Sequence, residues 1–123
     1  KYFRSRWEAN YARYLEFLKT RGDIVDWLHE EDSFMLFDNV SKKHFSFLPD
    51  FKVFYKDRHE YHEVKGWMDE RSKTKIRLMA KCHPNETLVV IDSKWFSEHT
   101  KGVNLLISDW EDMSKRNENR TGI

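Results

Sequence analysis

The chain has 123 residues, of which 39% are hydrophobic and 35% charged, and its formal net charge is +1. That length suits one domain, 1–123, with a real core, and nine Phe, five Trp and five Tyr argue against disorder. The near-neutral charge excludes a polycation, so nucleic-acid contact is expected from local patches, while Cys82 stands alone and excludes an intrachain disulfide.

No apolar run approaches the ~18 residues of a membrane span, and no secretory signal is visible. The expectation is therefore a cytoplasmic protein, with no membrane partner and no small-molecule cofactor. The two Asn-x-Thr patterns, at Asn85 and Asn119, read as chance in that setting.

Residues 5–21, SRWEANYARYLEFLKTR, place Trp7, Tyr11, Tyr14, Leu15 and Leu18 at helical spacing. Ser5 is the expected N-cap and Gly22 the stop. IVDWLHEE and SFMLFDNV follow, two short runs rich in β-branched and aromatic residues that read as strands. After a turn at Ser41, Lys42 and Lys43, HFSFLPDFKVFY carries Phe45, Phe47, Phe51 and Val53 on one parity. Pro49 cannot donate to a ladder and marks an edge, a bulge or a break there.

Residues 56–58 read as a hairpin turn, and EYHEVKGW as the returning strand. Residues 69–83 predict a helix with Ile76, Met79 and Ala80 inward, ending before Pro84. TLVVID, 87–92, predicts a strand buried on both faces. Trp95, Phe96, Leu105, Leu106, Ile107 and Trp110 mark a further helix-and-strand region, and the polar residues 114–123 read as a flexible tail. The order, a helix, three or four strands, a helix and a strand (α-β-β-β-α-β at its shortest), predicts an α/β fold, a central mixed sheet flanked by helices.

The chemistry concentrates in FLPDFKVFYKDRHEYHEVKGW, residues 47–67. Side chains alternate along a strand, so Glu63 and Lys65 share one face, roughly 7 Å apart, and His62 and Val64 the other. A hairpin at 56–58 brings Asp50 back beside Glu63. Two converging carboxylates offer oxygen-only ligation, which suits Mg²⁺ or Mn²⁺. Such an ion activates water and stabilises charge on a phosphoryl oxygen, and a lysine alongside orients that water.

Pro49-Asp50 followed by Glu63-Val64-Lys65 resembles the signature of the PD-(D/E)xK nuclease superfamily. Over residues 3–92, the order SRWEANYARYLEFL, two strands, PDF, EVKG and a basic helix is similar to small phage-encoded endonucleases of the Holliday-junction-resolving type. The resemblance implies a restriction-endonuclease-like core, with Asp50, Glu63 and the Val64 carbonyl as metal ligands. It implies Lys65 as the catalytic lysine, Glu8 as an accessory acid, and Mg²⁺ as cofactor, with Mn²⁺ able to substitute. It also implies a homodimer acting on branched or duplex DNA, in which the first helix is exchanged between protomers in some relatives.

Arg71, Lys73, Lys75, Arg77 and Lys81 fall between Glu70 and Glu86. They read as a phosphate track, with Lys75 the chosen contact, or as an ordinary solvated helix face. Other bland readings stand beside the sharp ones. Asp50 after proline is a turn former, Glu63 and Lys65 a solvated strand face, and Ser5-Arg6-Trp7-Glu8 a capping box. A zinc site from His59, His62, Cys82 and His83 is set aside, because His62 faces away from Glu63 and adjacent Cys-His is poor ligand spacing. Trp67, Trp95 and Trp110 are candidates for stacking on splayed bases but are assigned to the core, where aromatics at such positions more often lie. The expected function is a metal-dependent DNA endonuclease selecting branched DNA. The alternatives are a nickase or restriction-like nuclease on ordinary duplex, and a catalytically inactive nucleic-acid-binding module.

Overall fold

The computed structural model describes residues 5–111, with the backbone alone at 101 and 103–105. The tail expected at 114–123 lies outside the described residues.

Helix α1 spans Arg6–Arg21. Ser5 caps it by accepting from the Glu8 amide at 3.0 Å, and Gly22 closes it in the left-handed region at φ 84. Strands β1 (Asp26–His29), β2 (Phe34–Asp38), β3 (Lys43–Phe47), β4 (Phe51–Phe54) and β5 (His59–Lys65) follow. Then come α2 (Glu70–Cys82), capped by Asp69, β6 (Leu88–Asp92) and α3 (Ser93–Leu106).

The strands form two sheets. The larger has the order β1-β4-β5-β6, with β5 and β6 parallel and the other pairs antiparallel; β2 and β3 form a separate hairpin. Helix α2 is the crossover that the parallel β5–β6 pair requires. Tyr11 of α1 meets His62 on one face of β5, whereas Tyr61 meets Phe34 of the hairpin on the other. Alternation therefore sorts the core into two clusters. The first joins Tyr11, Ala12 and Leu15 of α1 to Phe51 and Val53 of β4, Ile91 of β6 and Phe96 of α3. The second joins Leu36 and Phe47 of the hairpin to Leu78 and Met79 of α2.

The mixed sheet flanked by helices matches the sequence expectation, with corrections. Among the described residues the order is α-β-β-β-β-β-α-β-α, because the run through Pro49 splits into β3 and β4, which belong to different sheets. β6 meets both cores, Val89 and Ile91 the first and Leu88 the second, but only Ile91 is fully buried, and among the described residues β6 is the edge strand of its sheet. On α2, Leu78 occupies the inner position expected of Ala80, which is exposed; the hairpin, not the sheet alone, decides which face is covered. Residues 93–106 are helical, with no strand among the described residues beyond β6. Trp95 and Trp110 pack against the first core, but Trp67 is 81% exposed and is not a core residue.

Candidate active site

The β4–β5 register, with Phe51 opposite His62, sets Asp50 opposite Glu63 at the mouth of the hairpin. Both carboxylates are buried, at 4% and 5% exposure. They are tied through the backbone. The Asp50 amide donates to Glu63 Oε1 at 3.0 Å, and the Val64 amide donates to Asp50 Oδ2 at 2.8 Å. In an extended strand the amide and carbonyl of a residue point to the same edge, so the Val64 carbonyl is aimed toward the Asp50 side of β5. Lys65, on the same face as Glu63, brings Nζ to 3.2 Å from Glu63 Oε2.

Glu63 and Lys65 border a cleft of ≈ 240 Å³ between the end of β3, β5 and α2, while Asp50 stands behind Glu63 and does not line it. Ser46, Leu48, Glu63, Lys65, Ser72 and Lys75 line it. Burial, then the negative charges of Glu63 and Glu8, push the Asp50 carboxyl up to about 8, against the pull of the Val64 amide and Lys65. Burial raises Glu63 as well, opposed by Lys65 and by the Asp50 amide. Two carboxyls that resist ionising side by side form a pair that a divalent cation would stabilise. Their all-oxygen donor set fits Mg²⁺ or Mn²⁺.

Glu8 reaches this region from α1. Its amide takes the Ser5 cap, but its carboxylate does not return to complete a capping box. Instead Glu8 Oε2 lies 2.6 Å from His29 Nε2 on β1, both side chains being buried. Sequence reasoning missed His29. The signal was present, since His29 sits inside a predicted strand ahead of two acids, but its pairing with α1 is a tertiary fact. Ligating atoms of Glu8, His29 and Glu30 lie within 4.8 Å of one another. Glu30 stands in the left-handed region at φ 51, and its amide donates to the Asp50 carbonyl at 2.9 Å. The residues weighed for zinc have other partners. His62 lies 2.6 Å from the Tyr11 hydroxyl, His59 3.1 Å from Glu86, His83 2.9 Å from the Met35 carbonyl, and Cys82 3.6 Å from the Phe37 carbonyl.

Of the four basic residues expected to meet DNA, Lys75 lines the cleft, where burial, then Arg71 and Lys65, lower its pKa. Arg71 lies over the Phe45 ring at 5.6 Å, Lys73 is 3.5 Å from Glu70, and Arg77 is 3.9 Å from Asp38. These three lie on the exposed side of α2.

Compared with known proteins, the chain matches no family model, no curated protein and no solved structure.

Proposed function

We propose that this protein is a metal-dependent DNA endonuclease that hydrolyses phosphodiester bonds, with branched DNA as its preferred substrate. The observation that carries the reading is the pair of buried, backbone-tied carboxylates, Asp50 and Glu63, with Lys65 Nζ 3.2 Å from Glu63. Burying two acids in contact is costly unless the pair serves a cation, and the cleft beside them is lined by Lys65 and Lys75.

In this reading Asp50, Glu63 and the Val64 carbonyl hold Mg²⁺, or Mn²⁺ in its place. The bound ion supplies a lowered water pKa and charge stabilisation at the phosphoryl oxygen. Glu63 fixes the Lys65 ammonium, which orients the attacking water and offsets the charge developing on the phosphate. Water adds to phosphorus, the ester P–O bond breaks, and the products are a phosphate monoester and a hydroxyl, without a covalent enzyme intermediate. Glu8, oriented by His29, is the accessory acid. Lys75 takes a neighbouring phosphate, with Arg71, Lys73 and Arg77 along the same helix. Symmetric cutting of a branch needs two sites, hence a homodimer, and the resemblance to junction-resolving enzymes supports it.

The test is cleavage of a labelled four-way junction and a matched linear duplex in Mg²⁺ or Mn²⁺, with EDTA and Lys65→Ala as controls. Metal-dependent cutting of the junction, abolished by Lys65→Ala, is the expected result. Equal cutting of both substrates removes the branch preference. Binding of both with cutting of neither removes the catalytic reading.

A further inference from the structure

Trp7, Trp27, Trp95 and Trp110 all pack against the first core, yet Trp67 is 81% exposed. One of the five tryptophans is thus left in water two residues beyond Lys65. Even fully extended, the chain allows roughly 7 Å between those two positions. The segment is also anchored on both sides. The space above Gly66 is filled by the Trp7 indole, 3.4 Å from where a Cβ would stand. On the far side Asp69 caps α2 by accepting from the Ser72 amide at 2.8 Å. Trp67 is therefore presented from a short, pinned bend between the Lys65 strand and the helix carrying Arg71, Lys73 and Lys75.

We propose that Trp67 stacks on a nucleobase beside the scissile phosphate, so that the substrate of this site is DNA with an unpaired base at the cut. The inference rests on the nuclease reading and specifies its substrate. An indole offers a stacking face to any base and is indifferent to sequence. Bases inside an intact duplex are already stacked on their neighbours and gain nothing from it. A base at a branch, flap or nick has a free face. Lys65 and Lys75 hold phosphates on the cleft side of the bend, and Trp67 meets the base that those phosphates carry.

The experiment uses the full chain and a flap substrate with 2-aminopurine immediately 5′ or 3′ of the mapped cut. Binding is measured in EDTA, where no cutting occurs, and single-turnover cutting in Mg²⁺. The wild-type protein is expected to quench the probe at one of the two positions, Trp67→Phe partly, and Trp67→Ala not at all. Loss of one stacked base corresponds to about a tenfold fall in the flap-over-duplex cutting ratio of Trp67→Ala. If Trp67→Ala still cuts, with quenching and ratio unchanged, stacking is overturned and the nuclease reading stands. If its dimer dissociates in sedimentation while both DNA readouts are unchanged, stacking is overturned and Trp67 belongs to a contact between copies. A wild-type protein that neither binds nor cuts DNA overturns both.

Discussion

Asp50 and Glu63 constrain each other through the main chain. The Asp50 amide donates to Glu63 Oε1 at 3.0 Å, while the Asp50 carboxylate takes the next amide along β5, that of Val64, at 2.8 Å. Each acid is positioned by the strand that bears the other, so their separation does not depend on side-chain freedom. The pair is preorganised, and the electrostatic cost is held in the folded state.

That cost sets a pH dependence. Asp50 titrates at about 8 in the fold against an ordinary value of 3.8, with burial as the leading cause. Between those values the folded protein holds a proton that the unfolded chain has lost, so the group's stabilising contribution declines as pH rises through that window. Metal-free protein is expected to melt progressively lower from pH 4 to pH 8, and Mg²⁺ to raise the melting temperature more at pH 8 than at pH 5. Asp50→Asn, whose amide oxygen can still accept from Val64, flattens the profile, abolishes the Mg²⁺ shift and raises the metal-free melting temperature by on the order of 5 °C. Melting curves in EDTA and Mg²⁺ check this, and a wild-type profile that rises across the same range contradicts it.

Lys65→Ala is expected to lower single-turnover cutting by about 10²- to 10⁴-fold, the range for one positioned proton-handling or charge-stabilising group. Its side chain is 28% exposed but offsets the buried Glu63 carboxylate at 3.2 Å, so the melting temperature is expected to fall while the fold is retained, and Lys65→Arg, which keeps the charge, to recover stability. Loss of cutting together with loss of the folded state assigns Lys65 a structural role.

For Glu8, two substitutions separate structure from chemistry. Glu8→Ala removes the 2.6 Å contact with buried His29 and is expected to cost roughly 1–3 kcal/mol of stability together with cutting. Glu8→Gln can still hydrogen-bond His29, so stability largely returns while cutting stays low. Normal cutting by Glu8→Gln would restrict Glu8 to positioning α1 against β1.

The basic face of α2 divides in two. Lys75→Ala is expected to reduce the salt dependence of DNA binding by about one counterion, and to slow cutting as well. Lys73→Ala, at the exposed position 3.5 Å from Glu70, changes binding less and leaves the cutting step alone. Titrations at several salt concentrations read the difference, and equal effects of the two variants refute the distinction.

Where sequence reasoning succeeded, the determinants are local. Helix α1 is written in its apolar repeat and in the Ser5 and Gly22 ends. Asp50 and Glu63 are 13 residues apart across one tight hairpin, so alternation and a turn at 56–58 are enough to bring them together. Where it failed, the deciding partner was distant or invisible. The β2–β3 hairpin leaves the main sheet although its strands read like the others, because strand pattern encodes faces and not partners. The edge position of β6 follows from the order in which strands assemble, which TLVVID does not state.

The sequence by itself determined the helix and strand periods, the Asp50–Glu63–Lys65 spacing and the basic character of α2, since each depends on neighbours along the chain. The tertiary structure alone decided that Glu8 meets His29 across 21 residues, that a cleft opens between β5 and α2 with Lys75, already singled out in the sequence, on its wall, and that Trp67 stands in solvent. Those outcomes depend on which surfaces the layers cover when they pack, and covering is a property of the assembled fold.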